Sequence, residues 1–403
     1  MRIFSIVLSA LMLGIGVVCA QSLHTTDAAS DFDRGYAMYC DGNYAGCFDI
    51  MSSLLYRSDA AQYHEEAAFY TAMSQAQHAV KRTPELLNKY LLEYPFSLHK
   101  DEVILALGYY YYDAKEYDKA IEELLKLNLA SIDYSEQDDY CYRLAMSHLY
   151  TNDSEKAHPL FQALAQNSVQ YRDMSRYYSG FIYYENGDYA SARRDLSLVQ
   201  SGSACYYESQ YLMLNIDFAN KQYAQCVSLC QQLFDMQQYD KYKTDLYRIA
   251  GECHYQLGND AQASEYINLY LDETNEPCRT TLYMAGILAY RDKQYSRAIE
   301  LLDGVSDTDD DISQSTYLHK GLAYLQIKDM SKAYLAFTHA AESHCDEMLR
   351  EKALYNQALC AYESDLNLFD STLSLFENIL REYPNSPYTD DINSRISDLY
   401  ISS

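Results

Sequence analysis

The apolar positions from Ile104 to Leu127 predict two short helices that fold against each other. The first helix face follows the spacing i, i+3, i+4, i+7 and consists of Ile104, Leu107, Gly108 and Tyr111. The second face consists of Ala120, Leu124 and Leu127. Residues 113–116 between them are polar and few, so the two helices must be antiparallel neighbours. Small residues at Gly108 and Ala120 allow the two backbones to approach closely.

A small residue followed twelve positions later by a second small residue recurs along the chain. The pairs are Gly35/Cys47, Gly108/Ala120, Ala145/Ala157, Gly180/Ala192, Gly251/Ala263, Gly286/Ala298 and Gly321/Ala333. Leu214/Cys226 fits the pattern with a larger first residue, and Ala358/Thr372 fits it with a two-residue insertion. A degenerate repeat that has lost the pair of small residues lies at Thr71. The first members are separated by 34 to 37 residues. One helix pair is therefore repeated about ten times.

This order of large, small and tyrosine positions resembles the tetratricopeptide repeat, whose period is about 34 residues. Ile104 takes the place that the family gives to Trp, and this chain has no Trp. The resemblance implies an all-α fold, a right-handed α-α superhelix of about ten helix-turn-helix repeats over residues 31–403. A solenoid needs a terminal element with a polar outer face. Residues 389–401, with the narrow apolar stripe Ile392, Ile396 and Leu399, are expected to form this C-terminal capping helix.

The first twenty residues predict a secretory signal peptide. Arg2 precedes an apolar run, and cleavage is expected after Ala20. Residues 21–30 are expected to form a short leader. A lipoprotein modified at Cys19 is the alternative, less favoured because Val18 takes the place of a small residue. We therefore expect an exported protein, soluble after cleavage, in the periplasm or associated with the outer membrane of a Gram-negative bacterium.

The formal net charge of −27 argues against nucleic acid as a partner, since affinity for phosphates comes from Lys and Arg. Acidic side chains spread over solvated helix faces are the favoured explanation, ahead of a specific basic partner. Several of the ten cysteines after the signal fit core positions: Cys47 and Cys226 take the small position of the second helix, and Cys230 takes a large apolar one. If any pair is oxidised, we expect it to be Cys40 with Cys47.

No catalytic constellation, cofactor motif or metal-binding motif is present in the sequence. HExxH, GxSxG and a phosphate-binding glycine loop are all missing. The acidic run Asp307–Asp311 lacks the Gly and Glu of a calcium loop, so we interpret it as a capped loop between repeats. The sequence predicts a protein without enzymatic activity.

Tyrosine provides the candidate binding residues. When each repeat is numbered so that its Gly108-like residue is the eighth, tyrosine recurs at positions five and twelve of the first helix, with Tyr or Phe also at position nine. In the family that the chain resembles, these positions line the concave inner surface. The candidates are Tyr112, Tyr177, Phe181, Tyr184, Tyr211, Phe218, Arg248, Tyr255, Tyr283 and Tyr290. Arg248 could hold a partner carboxylate or, as we favour, pair with Glu252 four residues later.

Two interpretations of these rings stay open. They could form a tyrosine-lined groove, because Tyr is enriched at protein interfaces, or they could fill gaps between adjacent first helices. We expect a non-enzymatic scaffold or adaptor of the cell envelope that binds a protein or peptide. The alternative is a peptidoglycan- or carbohydrate-binding protein, since tyrosine faces also stack on sugars.

Overall fold

The computed structural model describes residues 27–77, 82–363 and 369–402, which form α-helices joined by short loops. Over these three ranges the chain contains no β-strand. It divides into two compact units, unit 1 (Met1–Ile182) and unit 2 (Tyr183–Ser403). The all-α prediction is confirmed. The predicted signal peptide at 1–20, including Cys19, lies outside the described residues.

Unit 1 consists of consecutive helix pairs. Its helices are α1 Ala28–Cys40, α2 Tyr44–Leu54, α3 His64–Gln77, α4 Thr83–Glu93, α5 Lys100–Asp113, α6 Tyr117–Leu124, α7 Tyr134–Tyr150, α8 Ser154–Asn167 and the greater part of α9 Arg172–Glu185. Two 3₁₀ segments, Ser58–Tyr63 and Leu129–Ser131, join successive pairs. α4 begins at Thr83 with Pro84 in its first turn, where a proline gives up no hydrogen bond.

Unit 2 continues the same alternation. Its helices are α10 Tyr189–Ser197, α11 Tyr206–Ala219, α12 Tyr223–Leu233, α13 Lys243–Gln256, α14 Asp260–Glu273, α15 Arg279–Arg291, α16 Tyr295–Asp303, α17 Asp311–Gln326, α18 Met330–Glu342, α19 Glu347–Glu363, α20 Phe369–Glu382 and α21 Thr389–Ser402. The 3₁₀ segment Gln237–Tyr242 precedes α13. First helices α13, α15, α17 and α19 each contact the next in order. α21 covers the last pair, with Ile392 buried against Phe376 and Ile379, as expected of a capping helix.

Residues 28–30, the last three of the predicted leader 21–30, are helical. α1 begins at Ala28 because Asp27 takes an extended conformation and its side-chain Oδ1 accepts a hydrogen bond from the Ser30 N–H at 2.7 Å. An aspartate at this position satisfies one of the unpaired N–H groups at the start of a helix. Residues 28–30 therefore belong to the first repeat.

Each repeat is held together where the small residue of its first helix meets a large residue sixteen positions later on the second. A Cβ added to Gly108 would lie 2.5 Å from the Leu124 side chain, and one added to Gly286 would lie 2.5 Å from Leu302. At Gly251 an added Cβ would also lie 3.0 Å from the backbone nitrogen of Ile267. The predicted close approach of the two helices is confirmed.

In eight of the repeats, among the residues that the structure describes, the turn ends the first helix with a residue in the left-handed conformation. Gly42, Gly187 and Gly258 have φ near +76°, and Lys115, Asn152, Lys221, Lys293 and Lys328 have φ of 58–62°. In the turn at Lys293, its N–H donates to the Tyr290 carbonyl at 3.0 Å and the Gln294 N–H donates to Ala289 at 2.9 Å. These two bonds define a Schellman motif. The short polar turn at residues 113–116 was predicted from the sequence, but the left-handed conformation of its Lys115 was not.

None of the described cysteines forms a disulfide. Cys47, Cys226 and Cys230 are completely buried, which confirms their interpretation as core residues. The conditional bridge between Cys40 and Cys47 is not formed, because Cys40 at the end of α1 is exposed while Cys47 lies in the core with Met51. Within the ranges that the structure describes, no helix is both long enough and apolar enough to cross a membrane.

Replacing Gly251 by Ala should destabilise unit 2. The new methyl group meets the Ile267 backbone, which cannot move without separating α13 from α14, so we expect a loss of about 1–3 kcal/mol despite the better helix propensity of Ala. Urea denaturation followed by circular dichroism measures the loss. Gly202→Ala is the matched control, since an added Cβ there has no neighbour within 4 Å. Equal denaturation midpoints for the two variants would contradict the close-approach argument.

Replacing Lys293 by Gly should stabilise the chain. The left-handed conformation costs an L-residue about 1–2 kcal/mol, and Gly avoids this cost. Gly also makes the unfolded chain more flexible, which offsets part of the gain, so we expect a net stabilisation of about 0.5–1 kcal/mol. The reverse change, Gly258→Ala, places a side chain at φ +75° in open space and should lower stability by a similar amount. A shift of both urea midpoints in the same direction would show that backbone strain is not the cause.

Candidate partner-binding surface

All ten candidate residues are partly exposed, neither buried in the core nor fully in solvent. Tyr112, Tyr177 and Phe181 belong to unit 1, and the others belong to unit 2. Positions five and twelve are seven residues apart, so they share one face of each first helix. We call the unit 2 set the ring face, which consists of Tyr184, Tyr211, Phe218, Tyr255, Tyr283 and Tyr290. Each ring combines contact with its own unit and exposure to solvent.

The position-five tyrosines bind the following first helix through their hydroxyl groups. In unit 2 the Tyr211 hydroxyl donates to Asp245 Oδ2 at 2.5 Å, and the Tyr283 hydroxyl lies 2.8 Å from Ser315 Oγ. The Tyr355 hydroxyl donates to Asp391 Oδ2 at 2.7 Å. All three partners occupy the position two equivalent of the next first helix. These rings therefore fill the space between adjacent first helices and are also partly exposed to solvent.

Ring stacking accompanies these hydroxyl contacts. The rings of Tyr211 and Tyr242 are parallel within 11° at 3.9 Å, and those of Tyr355 and Tyr388 are parallel within 7° at 4.0 Å. In unit 1, Tyr142 stacks on Tyr171 at 4.3 Å. Tyr171, Tyr242 and Tyr388 were not predicted as functional residues. Each lies three residues before an aspartate or methionine that receives the hydroxyl, and this offset is visible in the sequence.

Three of the candidate position-twelve rings lie against arginine side chains. In unit 2 the Arg248 guanidinium lies 5.6 Å from the Phe218 ring centroid, and Arg291 lies 5.4 Å from that of Tyr255. In unit 1, Arg143 lies 5.0 Å from the Tyr112 ring. Contacts at these distances are attractive because the ring face is negative. Burial raises the pKa of Tyr112 to about 12.

Arg248 is held by two carboxylates of its own helix. Its Nε donates to Asp245 Oδ1 at 2.7 Å and its second nitrogen donates to Glu252 Oε1 at 3.4 Å. The predicted pair with Glu252 is confirmed, but Asp245 is the closer partner. Asp245 therefore receives both the Arg248 guanidinium and the Tyr211 hydroxyl. Because Arg248 is already neutralised, it is poorly suited to hold a partner carboxylate.

The acidic run before α17 caps the helix. Asp310 Oδ1 accepts from the Ser313 N–H at 2.8 Å, and the Arg279 guanidinium donates to both Asp310 oxygens at 2.8 Å. These bonds hold the pKa of the Asp310 carboxyl well below its usual range. The interpretation as a capped loop is confirmed. Among the described residues there is no group of three or more His, Cys, Asp or Glu placed to hold a metal ion.

These features define an α-helical repeat protein built from antiparallel pairs with a small-residue contact. The tetratricopeptide repeat family matches the chain at residues 142–199 and again at residues 352–386. These two segments contain tetratricopeptide repeats, as the resemblance in the sequence implied. Proteins of this family bind protein partners and are generally non-catalytic scaffolds.

Solved structures of the same class are similar to the chain at low identity. One is a tetratricopeptide repeat protein from Parabacteroides merdae, at 12% identity over 82% of this chain and 98% of that one, with a TM-score of 0.34. A second is the P58(IPK) TPR domain, at 14% identity over 85% and 100%, with a TM-score of 0.34. A third is a chain of the Naa15/Naa10 complex bound to HypK, at 14% identity over 94% and 61%, with a TM-score of 0.43. No curated protein matches the sequence.

The Tyr355 hydroxyl should make the stability of unit 2 depend on alkaline pH. Burial, followed by the nearby Asp391 carboxylate, raises its pKa to about 12, above the ordinary value of about 10. Between these values the unfolded chain releases a proton that the folded chain keeps, so stability is full below about pH 10 and is lost as pH rises towards 12. Tyr355→Phe should reduce this loss and lower stability at pH 7 by about 1 kcal/mol.

Urea midpoints at pH 8 and pH 11 test the contribution of Tyr355. Tyr134→Phe is the control, because the Tyr134 ring is 90% exposed. If both variants retain the full alkaline loss of the unmodified chain, the Tyr355–Asp391 bond does not couple protonation to folding.

Proposed function

We propose that this protein is a non-enzymatic scaffold that binds a peptide or protein segment across the ring face of unit 2. The observation that supports this most is the half-exposure of all six rings on consecutive first helices. Tyr and Phe contribute large contact areas with few rotatable bonds, so little entropy is lost when they are covered. The hydroxyl and stacking contacts hold Tyr211 and Tyr283 in place before any partner arrives, which lowers the cost of binding further.

The proposed location is the bacterial cell envelope, after removal of residues 1–20. The support is the charged residue, apolar run and cleavage pattern of the first twenty residues. Cell fractionation with an epitope placed after the last residue would show the chain in the periplasmic or outer-membrane fraction. Recovery in the cytosol with residues 1–20 intact would contradict this part of the proposal.

Replacing Tyr184 and Tyr255 together by Ala should remove partner binding. We expect an affinity loss of at least about 30-fold, because truncating central aromatic anchors commonly costs 2 kcal/mol or more. The melting temperature should change by less than about 3 °C, since neither ring lies in the fully buried core. Crosslinking in intact cells identifies the bound protein, and fluorescence anisotropy with the crosslinked segment as a peptide measures the affinity.

The matched control replaces Tyr56 and Tyr134, whose rings are 91% and 90% exposed outside the candidate positions. This variant should bind as the unmodified chain does. A large fall in melting temperature with Tyr184→Ala and Tyr255→Ala would show that the rings are structural. Binding to purified peptidoglycan in place of any polypeptide, lost in the same variant, would replace this proposal with the carbohydrate alternative.

A further inference from the structure

Tyr70 of α3 is the centre of an aromatic cluster in unit 1. Four rings meet it nearly edge-on, with centroid distances of 6.4 Å for Phe32, 5.4 Å for Tyr36, 5.0 Å for Tyr39 and 5.0 Å for Phe69. We call these five residues the Tyr70 cluster. The Tyr36 side chain is 46% exposed, and Tyr39 and Tyr70 are partly exposed. The cluster therefore opens to solvent on the first-helix face of α1 and α3.

Two carboxylates lie beside the Tyr70 cluster. Glu66 precedes Tyr70 by one helical turn, and Glu102 lies on the neighbouring first helix, α5. The His99 ring links them, with Nε2 at 3.2 Å from Glu66 and Nδ1 at 3.5 Å from Glu102. The two side chains remain 44% and 51% exposed, so both can still reach a ligand. Burial first, and then nearby groups that include Glu66 and Glu102, raise the pKa of Tyr70.

Elsewhere in the chain an internal arginine occupies the corresponding position. Arg143 lies over Tyr112 in unit 1, and its guanidinium donates to Asp113 at 2.6 Å. In unit 2, Arg395 lies 5.1 Å from the Tyr362 ring and donates to Asp391 at 2.7 Å. In both cases the ring is at position twelve, the cation comes from the next first helix, and a carboxylate completes the pair.

Tyr39 is the position-twelve ring of the first repeat, but the next helix offers it no cation at the matching positions. Those positions hold Ala68 and Phe69, which are uncharged. The described ring contacts of Tyr39 are with Tyr44 and Tyr70. Tyr39 and its neighbouring rings thus lie beside two carboxylates, Glu66 and Glu102, but neither Ala68 nor Phe69 supplies a cation.

We propose that the Tyr70 cluster, together with Glu66 and Glu102, binds an arginine or lysine side chain from a basic segment of the partner polypeptide. This inference rests on the proposed function and adds a second, basic segment of the same partner, which binds in unit 1. The partner's cation would take the place that Arg143 and Arg395 take in their own repeats. Ring faces and carboxylates favour a cation together, because the rings remove it from water while the carboxylates neutralise it. The net charge of −27 also favours the approach of a basic segment.

A labelled nonapeptide with three arginines, compared with the same peptide carrying three citrullines, provides the test. Citrulline keeps the shape of arginine and removes its charge. Fluorescence anisotropy with the full chain should show at least about 10-fold weaker binding of the citrulline peptide. Glu66→Gln with Glu102→Gln should weaken arginine-peptide binding by at least about 10-fold, and Tyr36→Leu should weaken it by about 3-fold to 10-fold.

The control for bulk charge is Glu122→Gln with Glu155→Gln, which removes the same charge from exposed positions on second helices α6 and α8. Its affinity for the arginine peptide should change less than about two-fold. Equal losses in the two double variants, or equal binding of the arginine and citrulline peptides, would overturn the inference. Because Tyr36 is exposed, Tyr36→Leu should fold normally. Its effect on binding therefore still tests the inference if the Gln variants prove unstable.

Failure here is distinguishable from failure of the proposed function. If the arginine peptide does not bind but a partner is still captured through Tyr184 and Tyr255, only the assignment of a basic segment fails. If no polypeptide is captured in cells and none binds in solution, the scaffold proposal itself is contradicted.

Discussion

The contact between a small residue on a first helix and a large one on the second helix sets the geometry of every regular repeat. At Gly108, Gly251 and Gly286 there is no room for even one added carbon atom without moving a neighbour. The distance between the two helices is therefore fixed, and so is the direction in which positions five and twelve point. The left-handed residue in the turn that follows fixes the angle at which the second helix returns. The aromatic rings recur on one face because the helix–helix contact and the turn geometry recur in the repeats.

The sequence was sufficient for the fold because its determinants are local. Small residues twelve apart, polar turns and capping aspartates lie within one repeat, and each can be recognised without knowing what surrounds the repeat. The start of α1 at Ala28 was missed because the capping role of Asp27 was overlooked within a polar stretch. The left-handed conformation of the turn lysines was not predicted, because Lys rarely adopts a positive φ. The geometry of the turn requires this conformation, and the turn recurs eight times among the described residues.

The candidate surface was only partly predictable. Tyrosines at positions five and twelve were identified from spacing, but the groups they contact lie one repeat away, and spacing alone does not choose between solvent and a neighbouring helix. The hydroxyl bonds of Tyr211 and Tyr355 to Asp245 and Asp391 depend on pairs separated by 34 and 36 residues. Arg248 was expected to pair within its helix and does so. That Arg143 and Arg395 lie on rings of the preceding repeat could be established only from the structure.

The hydroxyl bonds of the position-five tyrosines would limit what the ring face can recognise if it binds a polypeptide as proposed. Tyr211 and Tyr283 direct their polar ends at the next helix, so the bound polypeptide would meet mainly the carbon surfaces of these rings. Such surfaces select side chains by size and shape, and they discriminate weakly among side chains of similar size. The ring face would therefore have low sequence selectivity, and it could bind several unrelated sequences at different times.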